Sequence, residues 1–264
     1  MYTTHQNIFK VISMSLDYSL AMISVAEIPA SKLNTMNEKV HDSLREKFPL
    51  KIEELAKNVS INIDDDNNAK TLTKTSPVFA FVSADRSSAI IITCEQITFH
   101  SKLDCTTDHI VRELTEAFKK ISSLLEINHV GNVAIRYIYN FNLSDDGSNF
   151  DHFNATNLLA PTLSSMPAKG SSMFESTYVK EKNIVRLKAS VQMNTAILPN
   201  DLMEAASKQL KISTDRVNVL ARMDIDTLYN CDGTYRVVNI DEISRNLYLI
   251  GLQADEVYRE LQGV

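Results

Sequence analysis

Asp224-Ile225-Asp226 is the pair of side chains best spaced for chemistry. On a strand, residues two apart point the same way, about seven Å from one another. Two carboxylates at that spacing can hold one or two divalent ions for phosphoryl or nucleotidyl transfer. Enzymes of that kind also grip phosphate with a partner loop, commonly a Gly-Ser turn ahead of the pair, and none precedes Asp224. The competing account is an exposed strand face near a sheet edge. Arg136 and Arg222 fall mid-strand on the less apolar face and are the candidate ligand-binding residues. A guanidinium there clamps a phosphate or carboxylate through paired N–H donors, or else pairs with an acid on a neighbouring strand.

Other reactive constellations stay incomplete. Of the six histidines, no two stand four apart on one helix, and H-E-x-x-H is absent. His100 and His109 flank Cys105, but a zinc site would need a fourth group from elsewhere. A Cys105–His109 nucleophilic pair lacks an oxyanion turn and a third member. The three cysteines show no C-x-x-C spacing, which fits a reducing compartment. With six glycines in 264 residues there is no glycine-rich phosphate loop. No metal site and no cofactor are expected.

Composition narrows the class. A hydrophobic fraction of 44% and a charged fraction of 23% are ordinary globular values. The formal charge of −6 argues against nonspecific nucleic-acid binding, which needs clustered Lys and Arg. The N-terminal stretch is apolar but broken by Lys10 and Asp17, with no basic n-region or cleavage site. No window is long enough to span a bilayer. The expectation is a cytoplasmic protein with no membrane association.

The positioning elements follow from periodicity. In residues 130–143, Val133, Ile135, Tyr137, Tyr139, Phe141 and Leu143 alternate with Asn132, Ala134, Arg136, Ile138, Asn140 and Asn142, predicting a strand with one core face. Tyr137 and Tyr139 share the core face, so they read as packing rather than base stacking. Residues 7–28 read as strand with a turn or bulge at Asp17-Tyr18-Ser19. Leu33, Met36, Val40 and Leu44 mark a helix over 31–48, capped by Ser31 and stopped by Phe48-Pro49. Residues 50–63 are ambiguous, helical at first by composition and strand-like at the end. The run Asp64-Asp65-Asp66-Asn67-Asn68 lacks the calcium-loop pattern and reads as a solvated loop.

Hairpin strands follow over 77–103, then a helix over 107–126 with Thr106 or Thr107 as N-cap. The second half opens with a hairpin over 173–196. A short helix over 201–210 has Asp201 and Glu204 in capping-box positions, and a strand over 216–229 comes next. The last helix, 240–262, starts at the capping pair Asn239 and Glu242. It repeats Ile240, Ile243, Leu247, Ile250, Ala254, Val257 and Leu261 at three–four spacing. Packing across the protein's own sheet accounts for this face; a homodimer through Ile240, Ile243, Leu247, Ile250, Val257 and Leu261 is the alternative.

These elements predict an α+β fold of predominantly antiparallel sheets covered by long amphipathic helices. The halves are 1–143 and 173–264, joined by a loop over 144–172. Asn132-Val133 and Arg136 recur as Asn218-Val219 and Arg222 at the same internal spacing, so the halves read as a diverged duplication.

The Phe48-Pro49 stop, the strands over 77–103, the Arg136-Tyr137 pair and Asp224-Ile225-Asp226 ahead of a long terminal helix together resemble a known group. It is a sporadically distributed, uncharacterised bacterial family of about this length, and the resemblance runs over most of the chain. That family tends to place aromatics, including a tryptophan, just before the second helix, where residues 101–107 have none. The resemblance implies an accessory role in defence, toxin neutralisation or mobile elements and supplies no catalytic residues. The expected function is a non-catalytic protein-binding or regulatory protein, such as an antitoxin or immunity protein, using a sheet face or the 144–172 loop to hold a protein partner. The alternative is metal-dependent phosphoryl or nucleotidyl transfer through Asp224 and Asp226.

Overall fold

The alternating run that starts at Val133 forms strand β6 (His129–Asn142), and the molecule is arranged on either side of it. The computed structural model describes residues 15–63, 69–142 and 171–262. Before β6 come β1 (Ser15–Val25), α1 (Ala30–Leu44), β2 (Leu50–Ile63), β3 (Ala69–Val82), β4 (Ser88–Ile92), β5 (Gln96–Ser101) and α2 (Thr107–Leu125). After it come β7 (Ser172–Lys180), β8 (Asn183–Ala196), α3 (Asn200–Leu210), β9 (Arg216–Tyr229), β10 (Arg236–Val237) and α4 (Ile240–Gln262). The strands lie in the order β2-β3-β4-β5-β1-β6-β9-β8-β7, with β10 against one end of β6. Every pairing is antiparallel.

This corrects the expected α+β architecture of several helix-covered sheets. One ten-stranded sheet runs through the described residues, and strand residues outnumber helical ones. β6 and β9, drawn from the two expected halves, pair from Val133↔Tyr229 to Asn142↔Leu220, so the sheet has no seam there. Nor do the helices form a covering layer. They pack on β1, β3, β4, β5, β6 and β9, and none packs extensively on β2, β7 or β8. The physical reason is that an antiparallel sheet tolerates a wet face, so its outer strands need no helical cover.

Residues 50–63 supply a second correction. They are strand throughout, and β3 begins at Ala69 rather than near Pro77, because the two segments pair from Leu50↔Val82 to Ile63↔Ala69. A full-length strand partner outweighs the mild helix preference of Glu53, Glu54, Leu55, Ala56 and Lys57. The solvated-loop reading of residues 64–68 and nearly all of the connecting loop lie outside the described residues.

Alternation divides the core between the two faces of the sheet. On one face, Val133, Ile135, Tyr137 and Tyr139 pack with Ile110, Leu114, Phe118 and Ile121 of α2 and with Ile243, Leu247, Ile250 and Ala254 of α4. Three positions of the alternative dimer seam, Ile243, Leu247 and Ile250, are thereby buried in the chain's own core, and Ile240, Val257 and Leu261 pack partly buried against it. Tyr258 of α4 stacks on Tyr139 with ring centroids 4.1 Å apart. On the other face, Tyr18, Ala80, Val82, Ala89, Ile91 and Ile138 meet Leu202, Ala206 and Leu210 of α3. In β1 the pairing with β6 shifts register between Leu16 and Tyr18. The extra residue of this bulge sends Leu16 and Tyr18 to opposite faces.

Helix ends follow local chemistry, with corrections. Thr106 caps α2 by accepting from the His109 N–H at 3.3 Å, and Asn239 Oδ1 accepts from the Glu242 N–H at 3.2 Å. The Glu242 carboxylate does not complete a capping box; it pairs with Arg236. α1 starts after Pro29 rather than from a Ser31 cap and ends at Leu44. α3 starts after Pro199 with no side-chain cap bond, so Asp201 is free for another role.

Candidate ligand-binding site

The side-chain alternation that buries Tyr137 and Tyr139 puts Arg136 and Asn140 on the α3 side of the sheet. There β6, β9 and β8 lie side by side and set three rows of partners. The rows are Arg136, Asp226 and Arg186; Ile138, Asp224 and Lys188; and Asn140, Arg222 and Ser190. The first turn of α3, with Asn200 and Asp201, and the preceding Leu198 and Pro199 border the same surface. Apart from Ile138 and Asn140, these residues line an open cleft of about 510 Å³, to which Met173 and Glu175 of β7 also contribute.

Arg136 is the hub. Its Nε donates to Asp224 Oδ1 at 2.8 Å and its Nη2 to Asp224 Oδ2 at 2.7 Å, a two-pronged ion pair across neighbouring strands. Its Nη1 donates to Asp201 Oδ2 at 2.5 Å. Burial opposes the charge on Arg136, but the hydrogen bonds to Asp224 and Asp201 outweigh it and hold the guanidinium above its ordinary pKa. Burial likewise works against Asp201, and the Arg136 bond wins there too, lowering its pKa. Asp224 is buried, not on an exposed face near an edge, because β9 is an inner strand and Arg136 covers the carboxylate.

Asp226 is held more loosely. Its single ion-pair partner among the described residues is Arg186, whose Nη1 lies 3.3 Å away. Burial pushes the Asp226 carboxyl above the usual range. Arg222 differs from Arg136 in every contact. Its Nε donates to Asn140 Oδ1 at 3.2 Å and its Nη2 to the Ala196 carbonyl at 2.5 Å, and no carboxylate pairs with it among the described residues. Burial lowers its pKa.

Asp224, Asp226, Arg136 and Arg222 therefore share one cleft. The histidine and cysteine candidates do not gather. His100 is buried between Tyr18, whose hydroxyl lies 2.6 Å from Nδ1, and Thr98, whose Oγ1 lies 2.8 Å from Nε2. Burial brings its pKa down to about 4. Cys105 lies towards the opposite face, 3.4 Å from Ser19 Oγ, and burial raises its thiol pKa, which disfavours the nucleophilic thiolate. His109 accepts from Arg112 at 3.2 Å and meets the edge of Phe99. Among the described residues no cluster of three or more His, Cys, Asp or Glu side chains is placed to hold a metal ion. Also among them, no helix is long and apolar enough to cross a membrane.

Several lining residues escaped the sequence reading, namely Arg186, Lys188, Ser190, Gln192 and Asp201. The first four carry a usable signal. They alternate with Val185, Leu187, Ala189 and Val191, which are buried, and that period-two pattern places all four polar groups on one face. Asp201 carries no such signal, because its role depends on where α3 docks.

No family model and no curated protein matches the chain. A search of solved structures aligns the chain with the S. pombe Pct1 RNA triphosphatase in complex with the Spt5 CTD, at 9% identity over 94% of this chain and 86% of that one. The TM-score is 0.17, at which the alignment carries nothing for fold or function.

Proposed function

We propose that this chain is a non-catalytic binding protein of the regulatory kind, such as an antitoxin, immunity protein or defence accessory, which holds a protein partner against the cleft of β6, β9 and β8. The observation that carries the reading is the engagement of the cleft's aspartates. Asp224 gives both oxygens to Arg136, Asp201 shares that guanidinium, and Asp226 pairs with Arg186. Carboxylates held in this way are poor metal ligands and poor bases, since each must first leave a guanidinium. The cleft presents both signs of charge over an open surface, and complementary charge selects and orients a partner.

Affinity capture from the source organism with the full chain tests this. The wild type is expected to recover one stoichiometric protein, and Lys188→Glu, a charge reversal at a half-buried lining residue, is expected to lose it while keeping its circular dichroism spectrum. Recovery of no stoichiometric partner, or equal recovery by Lys188→Glu, would overturn the reading.

A second reading, metal-dependent phosphoryl or nucleotidyl transfer, draws on the one cleft shared by Asp224 and Asp226. It requires Arg136 to release Asp224. Calorimetry with Mg²⁺ or Mn²⁺ separates the two readings. Binding that disappears in Asp226→Asn supports the enzyme, and no binding or unchanged binding eliminates it.

A further inference from the structure

One end of the cleft presents donors without an acid. Arg222 faces it from β9, with Ser190 opposite on β8. Arg222 is 7% exposed, yet its two acceptors, Asn140 Oδ1 and the Ala196 carbonyl, are both neutral. Its Nη1 has no acceptor among the described residues and is not sealed from solvent. Ser190 is 4% exposed and lines the same cleft, and its hydroxyl is bonded to nothing among the described residues. Gln192, next on that face of β8, accepts the Thr195 hydroxyl on Oε1 at 2.9 Å, which leaves its amide NH₂ for another acceptor. Pro199 and Asn200 bring the positive end of α3 to the same surface. The Arg222 guanidinium touches no carboxylate among the described residues, and its Nη1 and the Ser190 hydroxyl both keep access to solvent, so an incoming anion can accept from both.

We propose that this end of the cleft binds a single carboxylate of the partner protein, gripped by Nη1 and Nη2 of Arg222 with Ser190 Oγ donating a further bond. The assignment rests on the binding reading above. Charge decides between carboxylate and phosphate. The cleft is lined by four cations (Arg136, Arg186, Lys188, Arg222) and four carboxylates (Glu175, Asp201, Asp224, Asp226). A dianionic phosphate would add two negative charges to a lining that is already balanced and holds Asp201 and Asp224. A carboxylate adds one, and its planar pair of oxygens matches one edge of a guanidinium.

Nitrogen-15 NMR of the arginine side chains tests the site directly in the full chain. The probes are N-acetylalanine, for a chain-terminal carboxylate; N-acetylglutamate α-amide, for a side-chain carboxylate; N-acetylalanine amide, which has neither; and inorganic phosphate. At least one carboxylate probe is expected to move the Arg222 resonance to saturation, and whichever does so names the source. The amide is expected to leave it unmoved. Arg222→Gln should weaken that binding about tenfold or more, as expected for a charge-assisted bond. Ser190→Ala, which removes only a hydroxyl, should weaken it roughly two- to tenfold. An unmoved Arg222 resonance, phosphate binding more tightly than either carboxylate, or equal binding by Ser190→Ala would each overturn the assignment. Partner capture undiminished in Arg222→Gln would sink this site and leave the binding reading standing. Carboxylate binding with no partner recovered would do the reverse.

Discussion

On one side of β6, Val133, Ile135, Tyr137 and Tyr139 lie under α2 and α4 in a continuous apolar core. On the other side, one residue further along the same strand in each case, Arg136 lines the charged cleft and Asn140 accepts from Arg222 at its end. The first face is held by removal of apolar surface from water, which is non-directional and accepts many side chains of the right size. The second is held by pairs that hold only when both partners are present and correctly placed. The difference teaches where change is tolerated: a lost methylene on the helix face leaves a cavity, whereas a lost partner in the cleft leaves a stranded charge.

The sharpest break in that comparison comes at the hub. Arg136→Ala leaves Asp224 buried without its two-pronged partner, and removing one member of a buried pair typically costs about 3–5 kcal/mol. Urea denaturation should show that loss. The double variant Arg136→Met, Asp224→Leu should recover much of it, because apolar replacement of both members removes the stranded charge. If the double variant is as unstable as the single one, packing rather than charge sets the cost, and the two faces are alike after all.

Leu247→Ala applies the matching test to the helix face. Leu247 is fully buried between α4 and the sheet, and truncating a buried leucine costs about 2–5 kcal/mol through lost transfer energy and the cavity left behind. A loss below about half a kcal/mol would be too small for a buried leucine, even where the site collapses around the gap. It would place Leu247 at the surface and return the dimer seam to consideration.

How much of each face could be read from the chain follows from the same contrast. The helix face announces itself, because Ile110, Leu114, Phe118 and Ile121, and again Ile243, Leu247 and Ile250, recur at the spacing that any packed helix needs. The ends of β9 and α4 also match the sequence expectation, as both are set by local pattern. The cleft is legible only in part. An acid for Arg136 on a neighbouring strand was one of two stated alternatives, but the choice of Asp224 depends on a diagonal contact, since Asp226 is the residue opposite in register. Asp201 reaches Arg136 only because α3 docks on this face of the sheet. The start of β2 reads as ambiguous because its strand character comes from β3 and not from its own composition. Long-range pairing is the shared cause of all three.

The pH response sharpens the comparison from the cleft side of the sheet. His100 is fully enclosed beside Tyr18 and Thr98, and its pKa falls from 6.5 to about 4 because burial disfavours the cation. A group whose folded pKa is depressed contributes stability that is present above its unfolded pKa. That contribution is lost as pH falls through the folded value. Stability should therefore decline between pH 6.5 and about 4, by an amount on the order of 3 kcal/mol at about 1.4 kcal/mol per pH unit. His100→Gln should flatten that part of the curve of urea midpoint against pH. An identical slope in the variant would assign the acid response to the carboxylates instead.

The smallest expected effect probes how closely α4 is seated. In a helix, Gly251→Ala ordinarily gains about 1 kcal/mol from helix propensity alone. Here a Cβ would collide with Thr107 Cγ2, lie 3.1 Å from Ile135 Cδ1 and press on Thr107 Oγ1 at 3.2 Å. Thr107 cannot simply turn away, because its hydroxyl lies 2.7 Å from the Tyr137 hydroxyl and donates to Asp255 Oδ2 at 2.8 Å, tying α2, β6 and α4 together. Overpacking of this kind costs about 1–3 kcal/mol, which exceeds the propensity gain. The variant should therefore be less stable by roughly 1 kcal/mol in urea denaturation, the excess of the overpacking cost over the propensity gain. A rise in stability would mean that α4 can lift from α2 without loss, and that the helix face is looser than the cleft rather than tighter.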